Sequence, residues 1–152
     1  MDELQSPPPP LDDASGLEFL RAGLEGRLPL SSIFGTMGMS ILELDAGRVV
    51  FGACADGRHL NPMGGVHGGF AATVLDSVTG CAVHTRLDAG VRYATVDLAI
   101  KMLRPIPQNV NLIAEGRLTH LSRSLGVAEG EVRAPDGKLL ASGTATCFII
   151  RS

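Results

Sequence analysis

The pattern of hydrophobic and polar residues divides the chain into a helical part and a strand-rich part. One buried helix is predicted over residues 69–86 by an apolar row that recurs at spacings of four, four and three: Phe70, Val74, Val78 and Cys81. A second apolar row lies beside the first: Ala71, Leu75 and Ala82. Because apolar residues cover almost every side of this helix, we expect the rest of the domain to enclose it.

Strand patterns dominate the remainder of the sequence. Four long segments after the helix are predicted to form a meander: residues 95–103, 109–120, 124–133 and 139–150. Two apolar runs on either side of Asp45-Ala46-Gly47 predict a β-hairpin before the helix, and residues 15–26 predict a short amphipathic N-terminal helix. The predicted fold is therefore α+β, with a long central helix that an antiparallel sheet wraps or covers.

The length of 152 residues is typical of one domain, which we expect to span residues 13–152. Residues 1–12 include four consecutive prolines, which forbid a helix and predict a disordered or extended arm. Such an arm is either a solvated tail or a proline-rich docking peptide.

Composition and charge narrow the classes of function. A net charge of −3, with one Tyr and no Trp, supplies neither the basic surface nor the aromatic platform that nucleic-acid binding needs. The three cysteines, Cys54, Cys81 and Cys147, are predicted to be buried free thiols in a reducing compartment. The N-terminus lacks a signal-peptide pattern and no apolar run reaches about 18 residues, so we expect a cytoplasmic protein that spans no membrane.

The stretch NPMGGVHGGFAATVLDSVTG, residues 61–80, places four glycines around His67 and one carboxylate, Asp76, inside an apolar run. Gly68 and Gly69 fall at the predicted start of the helix, where unpaired amide N–H groups and the helix dipole attract negative charge. They leave the backbone open to a ligand, which favours an oxyanion hole or an anion seat. A tight loop that needs positive φ is the alternative. Asp76 either has a partner that compensates its charge, or has a functional role, or is an ordinary exposed aspartate of the helix.

The spacing of these two features has a geometric consequence. Asp76 lies eight residues after Gly68, which is about 12 Å along a helix at about 1.5 Å per residue. A group held by the Gly68 amide is then too far from Asp76 of the same helix for attack or proton transfer. If both residues act on one atom, they come from two chains related by a two-fold axis.

The pattern Asn61-x5-His67-Gly68-Gly69-x6-Asp76, followed by a long antiparallel sheet, resembles the hotdog-fold acyl-CoA thioesterases. The nearest branch is the PaaI-like group, which includes phenylacetyl-CoA and 4-hydroxybenzoyl-CoA thioesterases, and the resemblance covers about residues 35 to 150. It implies hydrolysis of an aryl- or medium-chain acyl-CoA, with no cofactor beyond the CoA of the substrate. It also implies a homodimer, and we expect pairs of dimers to join into a homotetramer.

The resemblance also implies roles for residues near the reacting carbonyl. The Gly68 N–H would polarise the thioester carbonyl, and Asp76 from the partner chain would act as the nucleophile or as a general base on water. Asn61 would orient the carbonyl or the water, and His67 would fix the loop or line the pocket. Thr79, one turn after Asp76, would hold the carboxylate or the water.

The remaining predicted residues bind the substrate. Thr95 falls near a hydroxyl-bearing position that lines the site in relatives, and Gly69 allows close approach of the ligand. Two pairs fall where relatives hold CoA phosphates, with solvated strand ends as the alternative: Arg104–Pro105 and Arg123–Ser124. We expect the acyl group to lie along the buried helix, in an apolar slot lined by Met63, Phe70 and Val74.

The sequence supports other functions less well, but two of them stay open. The four histidines form no HxxxH or HExxH pattern, and no GxSxG or P-loop sequence is present, which argues against a metal site, a serine hydrolase and a phosphate-binding loop. A hotdog hydratase or dehydratase and a non-catalytic acyl-CoA-binding protein are the alternatives to a thioesterase. Release of free CoA thiol discriminates among the three.

Overall fold

The structure is a computed structural model and describes residues 13–151. The predicted proline-rich arm, residues 1–12, lies outside the described residues. The described helices and strands follow one another along the chain as α1 Gly16–Leu24, α2 Ser32–Thr36, β1 Met39–Asp45, β2 Arg48–Ala53, α3 Gly68–His84, β3 Arg92–Met102, β4 Leu112–Leu121, β5 Leu125–Arg133 and β6 Leu139–Ile150. None of the helices within residues 13–151 combines the length and the apolar character that a membrane crossing requires.

The six strands form one antiparallel sheet in the order β1-β2-β4-β5-β6-β3. The predicted four-strand meander is therefore wrong for β3, which pairs with β6 rather than with its neighbour in sequence, β4. The connection from β3 to β4, residues 103–111, is too long for a tight hairpin and contains Pro105 and Pro107, which cannot donate to a ladder. β3 consequently lies at one edge of the sheet and β1 at the other.

The long helix α3 lies against the inner face of this sheet, as its apolar pattern predicts. Phe70, Leu75 and Val78 are among its buried side chains. Glycines on the sheet allow the close packing: a Cβ at Gly116 would overlap the backbone carbonyl of Val78. The α+β arrangement of a central helix wrapped by an antiparallel sheet is confirmed, and so is the short N-terminal helix.

Candidate active site

The N-terminus of α3 begins with a side-chain cap. The Gly69 N–H donates to His67 Nδ1 over 2.7 Å, and the Phe70 N–H donates to the His67 carbonyl over 2.9 Å. Within residues 13–151, the Gly68 N–H has no acceptor. The cap therefore occupies one of the two amides that the sequence offered as oxyanion donors and leaves the other, Gly68, open.

The structure also explains why glycines occupy these two positions. Neither Gly68 nor Gly69 has positive φ, whereas Gly64 in the preceding loop does, with φ of 85°. A Cβ at Gly69 would lie 2.8 Å from His67 Nδ1, and a Cβ at Gly68 would lie 2.8 Å from Met102 Sδ. Close approach of side chains, rather than an unusual backbone, therefore favours glycine at both positions.

Asn61 organises the loop that leads to α3. Its Oδ1 accepts from the N–H of Met63 over 2.9 Å and from the N–H of Gly65 over 3.2 Å. Its own N–H donates to the Gly65 carbonyl over 2.7 Å. The amide oxygen is thus used inside the loop, so only the Nδ2 group of Asn61 is left to orient a substrate or water. Met63 lies at the loop tip with 90% of its surface exposed.

Asp76 lies halfway along α3 and is half-buried. The Thr95 hydroxyl, on β3, donates to Asp76 Oδ1 over 2.9 Å and also lies 3.8 Å from the Cys147 sulfur. No other described side chain bonds to the carboxylate, so Oδ2 is free for chemistry. The two predicted residues Asp76 and Thr95 are therefore brought together within one protomer.

Thr79 does not take the predicted place beside this carboxylate. Its side chain is fully buried, and its hydroxyl donates to the carbonyls of Leu75 and Asp76, over 2.7 and 3.2 Å. The Thr79 methyl group faces Gly130 of β5, so the side chain points toward the sheet and not toward the exposed side of α3. The expectation that Thr79 holds the carboxylate or a water is corrected accordingly.

The predicted acyl slot along α3 also differs from the structure. Phe70 is only 2% exposed and Val74 is fully buried, so neither lines an open groove of the protomer. Phe70 instead packs against His59, with ring centroids 5.1 Å apart. The face of α3 that the sheet leaves half-exposed, here called the open strip, consists mostly of small or polar residues: Gly68, Gly69, Ala72, Thr73, Asp76 and Ser77.

An apolar cavity of about 340 Å³ opens beside the start of α3. Its lining combines the predicted site residues Gly68, Arg104 and Pro105 with residues that the sequence did not predict for the site: Val66, Ala71 and Met102. Met102 and Val66 looked like ordinary strand and loop residues in the sequence. The crossing of β3 over the start of α3 brings Met102 to Gly68, whereas Val66 lies only two residues before Gly68 in the sequence.

The second predicted phosphate-binding pair, Arg123–Ser124, lies far from this cavity. The Ser124 carbonyl accepts from the Ile149 N–H over 2.8 Å, and the Arg123 carbonyl accepts from Arg151 Nε over 3.1 Å. The following strand faces Val83, near the C-terminal end of α3, about 22 Å from Gly68 along the helix. One protomer therefore does not bring Arg104 and Arg123 to the same ligand.

The pKa shifts of the cysteines near Asp76 favour a carboxylate rather than a thiol as the reactive group. Burial raises the pKa of Cys81 to about 12 and raises that of Cys147 as well, so both thiols are protonated at neutral pH. Burial also lowers the pKa of His84, which keeps its imidazole neutral near pH 7. Across residues 13–151, no three His, Cys, Asp or Glu side chains are grouped so as to hold a metal ion.

The chain is similar to known proteins in both sequence and structure. The family model described as thioesterase superfamily matches residues 63–141. A candidate esterase of Halobacterium salinarum is 40% identical over 74 residues, which is 47% of this chain and 48% of that protein. A candidate esterase of Caenorhabditis elegans is 31% identical over 107 residues, which is 69% of this chain and 62% of that protein. The chain thus spans about half to two-thirds of these relatives.

Solved structures share the fold. A phenylacetic acid degradation-related protein of Ralstonia eutropha is 35% identical, with a TM-score of 0.77 and coverage of 84% of this chain and 97% of that chain. A Streptococcus mutans protein solved with acetyl CoA is 23% identical, with a TM-score of 0.68 and coverage of 74% and 88%, and establishes the fold alone. The predicted hotdog fold is confirmed.

Proposed function

Because the chain belongs to the thioesterase superfamily, we propose that it hydrolyses an acyl-CoA thioester to the free acid and CoA. The observation that carries this proposal is the open strip of α3. It holds an unpaired amide N–H at Gly68 and a carboxylate, Asp76, whose second oxygen is free. These are the two groups that thioester hydrolysis needs: a donor to the carbonyl oxygen and an oxygen base or nucleophile.

The chemistry follows from the positions of these groups. The Gly68 N–H, at the positive end of the helix dipole, stabilises the negative charge that develops on the carbonyl oxygen. Asp76 either attacks the carbonyl carbon directly, so that the C–S bond breaks and water then hydrolyses the acyl–Asp anhydride, or removes a proton from a water that attacks the same carbon. In both cases CoA leaves as the thiolate and takes up a proton, and Thr95 fixes the orientation of Asp76. We propose no cofactor and no metal for this reaction, since CoA is part of the substrate.

The distance of about 12 Å between Gly68 and Asp76 along one helix means that a complete site needs two protomers. β3 is suited to join them, because its eleven residues leave one edge without a strand partner in the described sheet. The other edge strand, β1, has seven residues, contains a bulge between Ile41 and Glu43, and lies against α1 and α2. We therefore place the two-fold axis at β3.

Both halves of the site are attached to β3, which fixes the expected register. Thr95 holds Asp76, and Met102 lies against Gly68. With a two-fold axis at Ala99, Asp97 pairs with Lys101 of the partner subunit, and the bulged residue Val96 has no partner of its own. Thr95 then lies opposite Met102 of the partner subunit. Directly opposite side chains lie about 5 Å apart, so Asp76 of one protomer and Gly68 of the other would line the same cleft.

The same arrangement supports the expected substrate class. The cavity beside Gly68 is mainly aliphatic, and Arg104 lies at its exposed rim. An apolar acyl group of aryl or medium-chain size fits such a lining, while the CoA phosphates stay outside, within reach of Arg104. Residues Arg123 and Ser124 contact CoA only if they come from another protomer. The tetramer and the cytoplasmic location stay predictions.

The decisive experiment is a substrate panel on the purified protein. We expect release of free CoA thiol from benzoyl-, phenylacetyl- and hexanoyl-CoA, at rates that differ among the acyl groups. A change in enoyl absorbance without thiol release would instead indicate a hydratase. Binding of acyl-CoA without either change would indicate a binding protein, and both results would contradict the proposal.

The role of Asp76 is tested by Asp76→Asn, which keeps the size of the side chain and removes its charge. We expect kcat for thiol release to fall by about 10²-fold or more, while the thermal unfolding transition is kept. Asp88→Asn, an exposed aspartate beyond the end of α3, is the matched control and should retain full activity. Near-normal hydrolysis by Asp76→Asn would remove this residue from the mechanism.

A further inference from the structure

Met102 is placed where it can control access to the Gly68 amide. It is the last residue of β3, and its Sδ and Cε atoms come within 2.8 and 2.9 Å of the position that a Cβ on Gly68 would occupy. In the isolated protomer the residue is nevertheless 58% exposed. The thioether thus rests on the start of α3 without being locked into the core.

Met102 also forms one wall of the apolar cavity beside Gly68. Ala71 and Ala141 line the same cavity and are buried, so core packing fixes the position of these two parts of the lining. The backbone N–H groups of Leu103 and Arg104 both donate to the Leu140 carbonyl, over 2.9 and 3.0 Å. They are therefore unavailable to the amide groups of pantetheine, and the lining suits the apolar acyl group better.

We propose that this cavity is the acyl pocket and that Met102 determines how bulky a group it accepts next to the thioester carbonyl. The inference rests on the proposed function, because it takes the carbonyl oxygen to be held by the Gly68 N–H. A carbonyl at that amide has Met102 directly beside its acyl carbon. An unbranched chain passes the flexible thioether, whereas a ring attached to the carbonyl presses against it.

The experiment compares benzoyl-CoA, in which a ring is bonded to the carbonyl, with hexanoyl-CoA, which is unbranched. For Met102→Ala we expect the ratio of kcat/KM for benzoyl-CoA to that for hexanoyl-CoA to rise about tenfold or more, within the range that pocket methylenes give in other enzymes. Met102→Leu conserves the volume and should keep the wild-type ratio within about twofold. Leu42→Ala, an exposed truncation on the far edge strand β1, should leave both kcat/KM values unchanged.

Two outcomes would overturn the inference. One is an equal fall in kcat/KM for both substrates in Met102→Ala, which would indicate a general structural effect. The other is an unchanged ratio in a folded variant. If the wild-type protein releases no thiol at all, the proposed function fails separately, and calorimetric titration with the ketone analogues phenacyl-CoA and 2-oxoheptyl-CoA, which keep a carbonyl and have no thioester bond to hydrolyse, still tests the pocket. The affinity ratio of the two analogues must then change in Met102→Ala, or the inference is wrong.

Discussion

At the scale of single residues, the contact between Thr95 and Asp76 is the central feature of the site. A hydrogen bond to a charged group contributes about 1.5–3 kcal/mol. We therefore expect Thr95→Val, which removes only the donor, to lower kcat about 10–100-fold with a smaller effect on KM. Thr95→Ser should recover most of the rate, and Thr119→Val, an exposed threonine on β4, serves as the control. Equal losses in the Val and Ser variants would show that packing, not the hydroxyl, matters.

The same residues show how far the sequence could identify the site. Asp76 and Gly68 were recognisable because a carboxylate in an apolar helix and paired glycines at its start each need a physical reason. Thr79 was misplaced because nearness in sequence does not specify the face of a helix, and its hydroxyl bonds to the backbone instead. Met102 carried no local signal, since its role depends on a contact across 34 residues of sequence.

At the scale of elements, the close packing of α3 on the sheet depends on small residues in the strands. We expect Gly116→Ala to destabilise the fold by about 1–3 kcal/mol, because the new methyl group overlaps the backbone carbonyl of Val78, which cannot rotate away. Gly35→Ala is the matched control, since nothing lies within 4 Å of its Cβ position. Urea denaturation at one fixed protein concentration measures both. Equal stability of the two variants would contradict this account of the packing.

The boundaries of α3 were predictable, whereas the pairing of the strands was not. Apolar periodicity placed α3 within two residues of its observed ends, Gly68 and His84. Alternation identifies a strand and its buried face, but it does not say which other strand lies beside it. The pairing of β3 with β6 is long-range, and the only local hint was the proline-containing connection at residues 103–111.

At the scale of the whole molecule, the proposed site is complete only in a dimer, so activity and assembly are expected to be lost together. The proposed axis at Ala99 sets Asp97 opposite Lys101 of the partner subunit, and symmetry makes this pair twice. Both side chains are exposed, and neither has an ion-pair partner elsewhere in residues 13–151. Opposite charges across paired strands contribute about 0.2–1 kcal/mol, and like charges destabilise by similar amounts.

Charge reversal at these two positions tests the register directly. Asp97→Lys creates two repulsive pairs with Lys101, so we expect the dimer dissociation constant to rise roughly tenfold, with thiol release falling as dimers dissociate on dilution. The double variant Asp97→Lys with Lys101→Asp restores opposite charges and should recover both. The dimer dissociation constants are measured by sedimentation equilibrium at 0.1 M salt or less, where exposed charges are least screened. If the double variant dimerises no more tightly than Asp97→Lys alone, these residues do not face each other and the axis lies elsewhere on β3.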